Sequence, residues 1–374
     1  MPPPNEEFMR LALRLARRGL QGVSPNPLVG AVIVKRGQII GQGYHRRCGG
    51  RHAEIAALRD ASRAGCDPRG ADVYVTLEPC GHHGRTPPCS TALIDAGMAR
   101  VFYAAPDPNP LTHDRGLRRL EWAGIEVHGG LCEKEARKLN RPFFYWVRTG
   151  KPWVILKWAM TLDGRIATAG GESRWITGEA ARAHAHGLRR RVDAVLVGTE
   201  TALRDDPLLN PRPARGRYPV RIVLDRRGRL PLSLRLLGEP SEEVGPADRL
   251  YVTSFTVARK RQACLRRCGV EVVGIRSGKN GIPLPRVLDY LGKEGISQLL
   301  VEGGAKLLGS FLSRGEAHEA AVYIAPRIAG GARARGAIEG RGIPRLEDTP
   351  WLEEPELKRL GRDYLVQGVL GRRR

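Results

Sequence analysis

No run of about 18 consecutive apolar residues occurs in this 374-residue chain, which leaves no candidate for a membrane-spanning helix. The first 22 residues carry acids where a signal peptide has cations, and arginines where it has an apolar run, so a cytoplasmic chain is expected. Cysteine is scarce, seven in all, and in an unexported chain of this size paired cysteines read as metal ligands before disulfides. Aromatic residues make up only 6% of the chain, too few for the stacking track that single-stranded nucleic acid requires. No Gly-x-Gly-x-x-Gly and no Walker sequence is present, which removes the Rossmann and P-loop signatures. Acids are outnumbered, 39 against 62 Lys and Arg, for a net charge of +23. The basic residues are spread along the chain rather than gathered in one arm, which favours small phosphorylated substrates over nucleic acid. The Arg372–Arg374 end reads as a solvated tail.

What is present is a packed α/β chain. Hydrophobic residues reach 41%, and the length suits two domains with separate cores. A helix is expected from Asn5 to Gly22, capped by Asn5, with Phe8, Leu11, Ala12 and Leu15 on its apolar face. Val29–Val34 and Gln38–Gly43 form a hairpin turning near Gly37. A helix from His52 to Ala64, a strand Val73–Leu77, a helix Cys89–Ala96 and a strand Val101–Ala105 follow, an alternation that implies a sheet covered by helices. The pattern restarts around residues 148–152, dividing the chain into 1–148 and 149–374. Beyond lie strands at Trp153–Trp158, Ala194–Gly198, Val220–Leu224, Leu250–Thr253, Val270–Ile275, Leu299–Glu302 and Ala321–Ala325. Residues 234–248, rich in Gly, Pro, Ser and acids, read as a surface loop.

His52-Ala53-Glu54, followed by Pro79-Cys80 and then Cys89, is a His-x-Glu plus Pro-Cys…Cys pattern, the signature of zinc nucleobase deaminases. One imidazole and two thiolates give zinc a neutral three-ligand site with a position left for water. Glu54 then serves as the catalytic acid/base. His52 and Glu54 reach one site only from the N-terminal end of their helix. Cys89 opens a helix, where the dipole favours a thiolate. The usual Cys-x-x-Cys spacing is opened here by eight residues containing His82 and His83, which stand as rivals to His52. A purely structural zinc site is the bland alternative, but it would want a fourth protein ligand. Cys48, Cys66, Cys132, Cys264 and Cys268 read as reduced thiols. In the second half, Gly303-Gly304 between a strand and a helix fits either a tight turn or a phosphate site at a helix N-terminus.

These residues, with Asn26-Pro27-Leu28-Val29-Gly30-Ala31-Val32-Ile33 and the loop Gly81-His82-His83-Gly84-Arg85-Thr86-Pro87-Pro88, resemble the bifunctional riboflavin-biosynthesis deaminase–reductase family. The likeness runs from about Phe8 to Gly368 and continues through Asp107-Pro108-Asn109-Pro110, Lys157–Arg165, Gly171–Thr177, Asp205–Leu209 and Val301–Gly304. It implies a cytidine-deaminase-like three-layer α/β/α domain followed by a dihydrofolate-reductase-like α/β domain. It implies hydrolytic deamination of a diaminopyrimidinone ribosylamino 5′-phosphate, then NADPH-dependent reduction of its ribosyl chain to ribityl. One Zn2+ per chain, NADPH and a homo-oligomer, dimer or tetramer, are implied with it.

Carried over residue by residue, the resemblance implies cofactor contacts at Ala159, Trp175, Thr201, Asp205 and the run Gly304, Ala305, Lys306, Leu307, Leu308, Gly309 and Ser310. Substrate contacts are implied at Ser173, Arg189, Leu209, Arg212 and Glu302. Arg189 and Arg212 are chemically suited to clamp a phosphate, and Trp175 to pack on a flat ring. The bland readings are solvated arginines and a core tryptophan. Two other functions compete: a tRNA-type nucleic-acid deaminase with an accessory binding domain, and a zinc-stabilised protein that only binds nucleotide.

Overall fold

The computed structural model describes residues 3–82, 87–110, 113–213, 217–237, 248–278 and 281–371. His83 with the rest of 83–86, the loop interior 238–247 and the tail 372–374 lie outside the described residues. The chain parts into two compact units, Met1–Gly150 and Lys151–Arg374.

The first unit runs α1 (Glu6–Ala16), β1 (Gly30–Lys35), β2 (Gln38–Tyr44), α2 (Ala53–Arg63), β3 (Asp72–Leu77), α3 (Cys89–Asp95), β4 (Arg100–Ala105), α4 (Arg115–Trp122), β5 (Glu126–Gly129), α5 (Glu133–Leu139) and α6 (Arg141–Thr149). Asn5 caps α1, its side-chain oxygen accepting the Glu7 N–H at 2.8 Å. The helix stops at Ala16 rather than Gly22, because the chain tightens into a 3-10 turn over Arg17–Gly19 as it meets a poor helix former. The sheet order is β2-β1-β3-β4-β5, with β1 antiparallel to β2 and β3, and β3, β4 and β5 parallel.

Strand alternation builds three layers. Val32, Tyr74 and Phe102 face α1, α5 and α6, packing with Met9, Ala12, Ala136 and Phe144. Ala31, Ile33, Val73, Val75 and Val101 face the other way, onto Ala53 and Ala57 of α2, Leu93 of α3 and Leu120 of α4. The helix that carries His52 and Glu54 lies unusually close to its strand. A Cβ on Gly43 would stand 2.4 Å from Ala57 N and 2.5 Å from Ala53 O.

The second unit runs β6 (Trp153–Thr161), α7 (Glu179–Arg189), β7 (Ala194–Gly198), α8 (Thr199–Asp205), β8 (Val220–Leu224), β9 (Arg249–Ser254), α9 (Phe255–Arg267), β10 (Val270–Ile275), α10 (Leu284–Lys293), β11 (Gln298–Glu302), α11 (Ala305–Ser313), β12 (Glu319–Ala325), β13 (Trp351–Leu360) and β14 (Asp363–Gly371). The sheet order is β10-β9-β8-β7-β11-β6-β12-β14-β13. The first seven strands are parallel, and β14 runs antiparallel to β12 and β13. Val154, Leu156, Leu196, Leu299 and Val301 pack against α10 and α11 through Val287, Leu291, Leu308 and Phe311. The alternate residues of the same strands, Lys157 and Glu302 among them, face away from that core. Part of the expected surface loop at 234–248 proves otherwise: Leu234, Leu236 and Leu237 are buried, apolar side chains that anchor the start of the segment.

Gly43→Ala should force α2 off β2. The expected loss is roughly 1–3 kcal/mol of stability, read as a lower urea midpoint, together with weaker zinc retention on dialysis.

Candidate active sites

His52 is the N-cap of α2 and Glu54 lies in the first turn of that helix. Cys80 follows β3 and Pro79, and Cys89 is the first residue of α3. Their Sγ atoms lie 3.6 Å (Cys80) and 3.3 Å (Cys89) from His52 Nδ1. Zinc bonds of about 2.3 Å to sulfur and 2.0–2.1 Å to nitrogen, opened to a tetrahedral angle, set an N···S separation of about 3.6 Å. The donor set therefore fits zinc in both chemistry and spacing. Among the described residues no fourth His, Cys, Asp or Glu joins this group. His82, a rival from the sequence, lines the pocket without entering it.

The electrostatics of the three donors suit a cation. The hydrogen bond from the Cys89 thiol, followed by that with His52, holds Cys80 down to about 4, and the Cys89 backbone N–H also reaches Cys80 Sγ at 3.3 Å. The same sharing with Cys80, followed by burial, pushes the Cys89 thiol well above its usual range. The Cys80 sulfur raises the His52 imidazole in turn. Glu54 is buried at 3% exposure, and burial followed by the charge on Cys80 raises it to about 7.

His52, Glu54 and Cys80 line a pocket of about 500 Å³ that the sequence outlined only in part, with Cys89 buried behind it. Asn26, His45 and Asn109 line it from three loops, and Phe143, Trp146 and Val147 line it from α6. His45 Nε2 lies 3.1 Å from Asn26 Nδ2, and its Nδ1 lies 2.9 Å from Arg51 O. Donation to that carbonyl leaves Nε2 to accept from the Asn26 amide. Burial keeps the imidazole pKa low. Asn26 and Asn109 stood inside recognisable motifs, but nothing local marked His45.

The second unit holds a cleft of about 500 Å³. Its floor lies at the carboxyl ends of parallel strands, formed by Lys157–Ala159 from β6, Val197 from β7 and Glu302 from β11 with Gly303 and Gly304, the usual place for ligands in such sheets. Ten of the expected residues come together there: Ala159, Ser173, Trp175, Arg189, Thr201, Asp205, Leu209, Arg212, Glu302 and Gly304. Of the run 304–310, only Gly304 lines the cleft. Ala305, Lys306, Leu307, Leu308, Gly309 and Ser310 form the helix behind it, with Leu308 and Gly309 fully buried. Gly303 has φ +129°, and a Cβ there would stand 2.7 Å from Thr201 Oγ1, so only glycine fits. Thr201 Oγ1 accepts the Gly304 N–H at 2.8 Å. Trp175 is 62% exposed, with Arg182 over its ring at 4.7 Å, so it is a cleft wall and not a core residue.

Arg189 makes the two-pronged pair expected of it, but with Glu302. Nε donates to Oε1 at 2.7 Å and Nη2 to Oε2 at 2.9 Å, while Nη1 donates to Asn210 O at 2.9 Å. Lys157 Nζ adds a contact to Oε2 at 3.3 Å. Arg212, the other arginine expected at a phosphate, is exposed at the cleft wall. Burial alone would raise the Glu302 carboxyl, but Arg189 and Lys157 hold it far below the usual carboxylate range. Among the cleft residues not expected are Lys157, and His186, which burial and Arg189 lower to about 4. Lys157 was findable, as a lone cation in an apolar strand. Eight Lys and Arg against three carboxylates line the cleft, a balance that suits a multiply phosphorylated cofactor.

A zinc-type donor set in one α/β unit and a basic cleft at the strand ends of another define a two-domain deaminase–reductase. Residues 3–105 match the cytidine and deoxycytidylate deaminase zinc-binding region, and residues 152–366 match the RibD C-terminal domain. The riboflavin biosynthesis protein RibD of Actinobacillus pleuropneumoniae is 42% identical over 97% of this chain and 95% of its own length. That of Escherichia coli is 41% identical over 98% and 99%. Among solved structures, Acinetobacter baumannii RibD superposes with a TM-score of 0.85 at 39% identity, covering 98% of both chains. A Thermotoga maritima diaminohydroxyphosphoribosylaminopyrimidine deaminase/5-amino-6-(5-phosphoribosylamino)uracil reductase gives 0.82 at 35%, again covering 98% of both. The chain belongs to the RibD family of riboflavin biosynthesis proteins, with a cytidine-deaminase-like domain followed by a reductase domain.

Arg189→Met leaves Glu302 with Lys157 alone. Because the native carboxyl sits below its unfolded value, its pairing stabilises the fold above about pH 4.3 and is lost as pH falls. The variant should lose roughly 3–5 kcal/mol at pH 7, and the gap to the parent chain should narrow in urea titrations as pH falls below about 4.3.

Proposed function

We propose that the first unit hydrolyses the 2-amino group of 2,5-diamino-6-(5-phosphoribosylamino)pyrimidin-4(3H)-one. The second unit then reduces the ribosyl chain with NADPH to give 5-amino-6-(5-phosphoribitylamino)uracil. The observation that carries the reading is the His52–Cys80–Cys89 donor set at zinc spacing, with the buried Glu54 lining the same pocket. His52, Cys80 and Cys89 would hold one zinc per chain. Bound zinc lowers the pKa of water to about 7, which supplies hydroxide at neutral pH.

Glu54 takes the proton of the attacking water and passes it through the ring to the leaving amine, so water is consumed and ammonia released. Its burial disfavours the charged form, which suits a carboxylate that has to hold the proton between the two transfers. Phe143, Trp146 and Val147 shield that transfer from bulk solvent.

In the second unit NADPH supplies hydride to the sugar carbon, and the protein's part is alignment. The Gly303–Gly304 turn brings the N-terminus of α11 to the cleft, where phosphate is favoured. Trp175, Ala159, Thr201 and Asp205 are assigned to the cofactor; Ser173, Leu209, Arg212 and the Arg189–Glu302 pair to the substrate. The seven cysteines, all free, fit a reducing cytoplasm. A dimer or tetramer is the assembly expected of the family, and light scattering reads it.

Purified protein given the diaminopyrimidinone phosphate should release ammonia and oxidise NADPH, followed separately. Glu54→Gln should retain one zinc per chain by metal analysis and lose ammonia release by roughly 10²–10⁴-fold. NADPH oxidation with the deaminated intermediate should be unaffected, and a zinc chelator should divide the two activities the same way. Ammonia release that survives both treatments would remove the reading.

A further inference from the structure

Between the two matched regions, residues 106–151 belong to neither family model, yet α6 within them lines the deaminase pocket with Phe143, Trp146 and Val147. Phe144 packs α6 into the core, and one buried polar side chain pins its start. Asn140, at the junction of α5 and α6, is 3% exposed. Its Oδ1 accepts the Leu28 N–H at 2.7 Å and its Nδ2 donates to Leu28 O at 2.9 Å, across 112 residues of sequence. The carboxamide thus pairs with a backbone as a neighbouring strand would. Only a neutral amide offers donor and acceptor side by side in that plane; an ionised Asp has no donor, and an apolar side chain leaves both backbone groups without these partners in a buried place.

Leu28 sits among the pocket residues Asn26, Pro27 and Val29. Asn26 Nδ2 meets His45, whose other ring nitrogen is held by Arg51 O, the residue before His52. One chain of contacts therefore runs from α6 through Asn140, Leu28, Asn26 and His45 to the zinc-type donors. Phe143, Trp146 and Val147 stand on the helix that Asn140 caps, so the same anchor sets the start of the element that carries them.

We propose that Asn140 is a positioning residue of the deaminase site, and that the α6 face it fastens, Phe143 and Trp146 foremost, is a substrate-selecting apolar wall lying outside the region matched to the deaminase family model. The wall would pack against the flat ring of the substrate in the pocket that it shares with His52, Glu54 and Cys80. The inference rests on the deaminase reading above.

The test uses the full chain, with ammonia release from the diaminopyrimidinone phosphate, zinc content and NADPH oxidation on the deaminated intermediate measured on each variant. Asn140→Ala should raise KM for ammonia release by about ten-fold or more with kcat within about three-fold, because the residue acts by placing the wall. Zinc content and NADPH oxidation should stay at parental levels. If Asn140→Ala loses zinc or unfolds, Phe143→Ala and Trp146→Ala, on a half-buried face, decide the matter by the same KM rise with an unchanged melting temperature. A folded Asn140→Ala, or both wall variants, with parental KM would overturn the inference while leaving the function standing. A parent chain that releases no ammonia overturns both.

Discussion

Three donor atoms from three separate segments have to fall within one tetrahedral edge of each other, and most of the first unit is arranged around that demand. His52 arrives as a helix cap, Cys80 from the end of a strand and Cys89 as the opening residue of another helix. None of these elements touches another in sequence. They converge because α2 and α3 lie on the same side of one sheet, packed through Ala53, Ala57 and Leu93 onto β1 and β3. The clearance is small. Where Gly43 meets α2 there is no room for one methyl group, so the height of that helix above the sheet, and with it His52 and Glu54, is fixed by backbone contact. The core is thereby part of the metal site, since a shift of a few tenths of an ångström in α2 is a shift in the donor triangle.

The second unit meets a different constraint, that of a buried carboxylate. Adjacent strands pair Glu302 with Lys157 in register, both on the face away from the α10–α11 core, and α7 delivers Arg189 onto the same spot. Removing Glu302 from water is costly, and two cations with directed hydrogen bonds offset it. The cluster joins β6, β11 and α7, and through Arg189 and Asn210 O it also ties down the segment beginning at Leu209. Leu209 is held buried at φ 55°, a conformation a leucine adopts only when its surroundings impose it. The charge network thus ties three elements and one strained loop together at the cleft, the preorganisation that aligning two reactants there would require.

Chemistry that depends on residue type and short spacing was legible in the sequence. His52, Glu54, Cys80 and Cys89 announced themselves, and the hairpin at Gly37 and strands such as Ala194–Gly198 followed from alternation and turn residues. What stayed hidden depended on contacts between distant segments. His45 looks like any histidine until Asn26 and Arg51 O hold it in the pocket. Helix α6, with Phe143, Phe144, Tyr145, Trp146 and Val147, carries residues that favour strands, and tertiary packing overrides them. β13 is polar and solvent-exposed along most of its length, with a bulge between Glu353 and Glu356, so it offers no period to read. Leu234, Leu236 and Leu237 were read as surface because their flanks are rich in turn formers, yet three leucines in four residues were the stronger signal.

The two units share one electrostatic device despite having unrelated chemistry. Each places its working centre where parallel strands end and a helix begins, so that the positive end of the helix faces the site. At α3 the group stabilised is sulfur: the Cys89 N–H points at Cys80 Sγ, and the helix opens on the second thiol. At α11 the glycine turn brings the helix start into a cleft dominated by arginines, the same polarity that a phosphate would meet. A thiolate and a phosphate differ in nearly every chemical respect, soft sulfur against hard oxygen, but share negative charge, and the field of a helix N-terminus does not distinguish them. Selectivity therefore has to come from what surrounds each terminus: two further donors at metal spacing in one case, a glycine pair without side chains and an arginine-lined wall in the other. The strand-and-helix joint supplies the field, and the loops beside it decide whether that field holds a metal's ligand or a cofactor's phosphate.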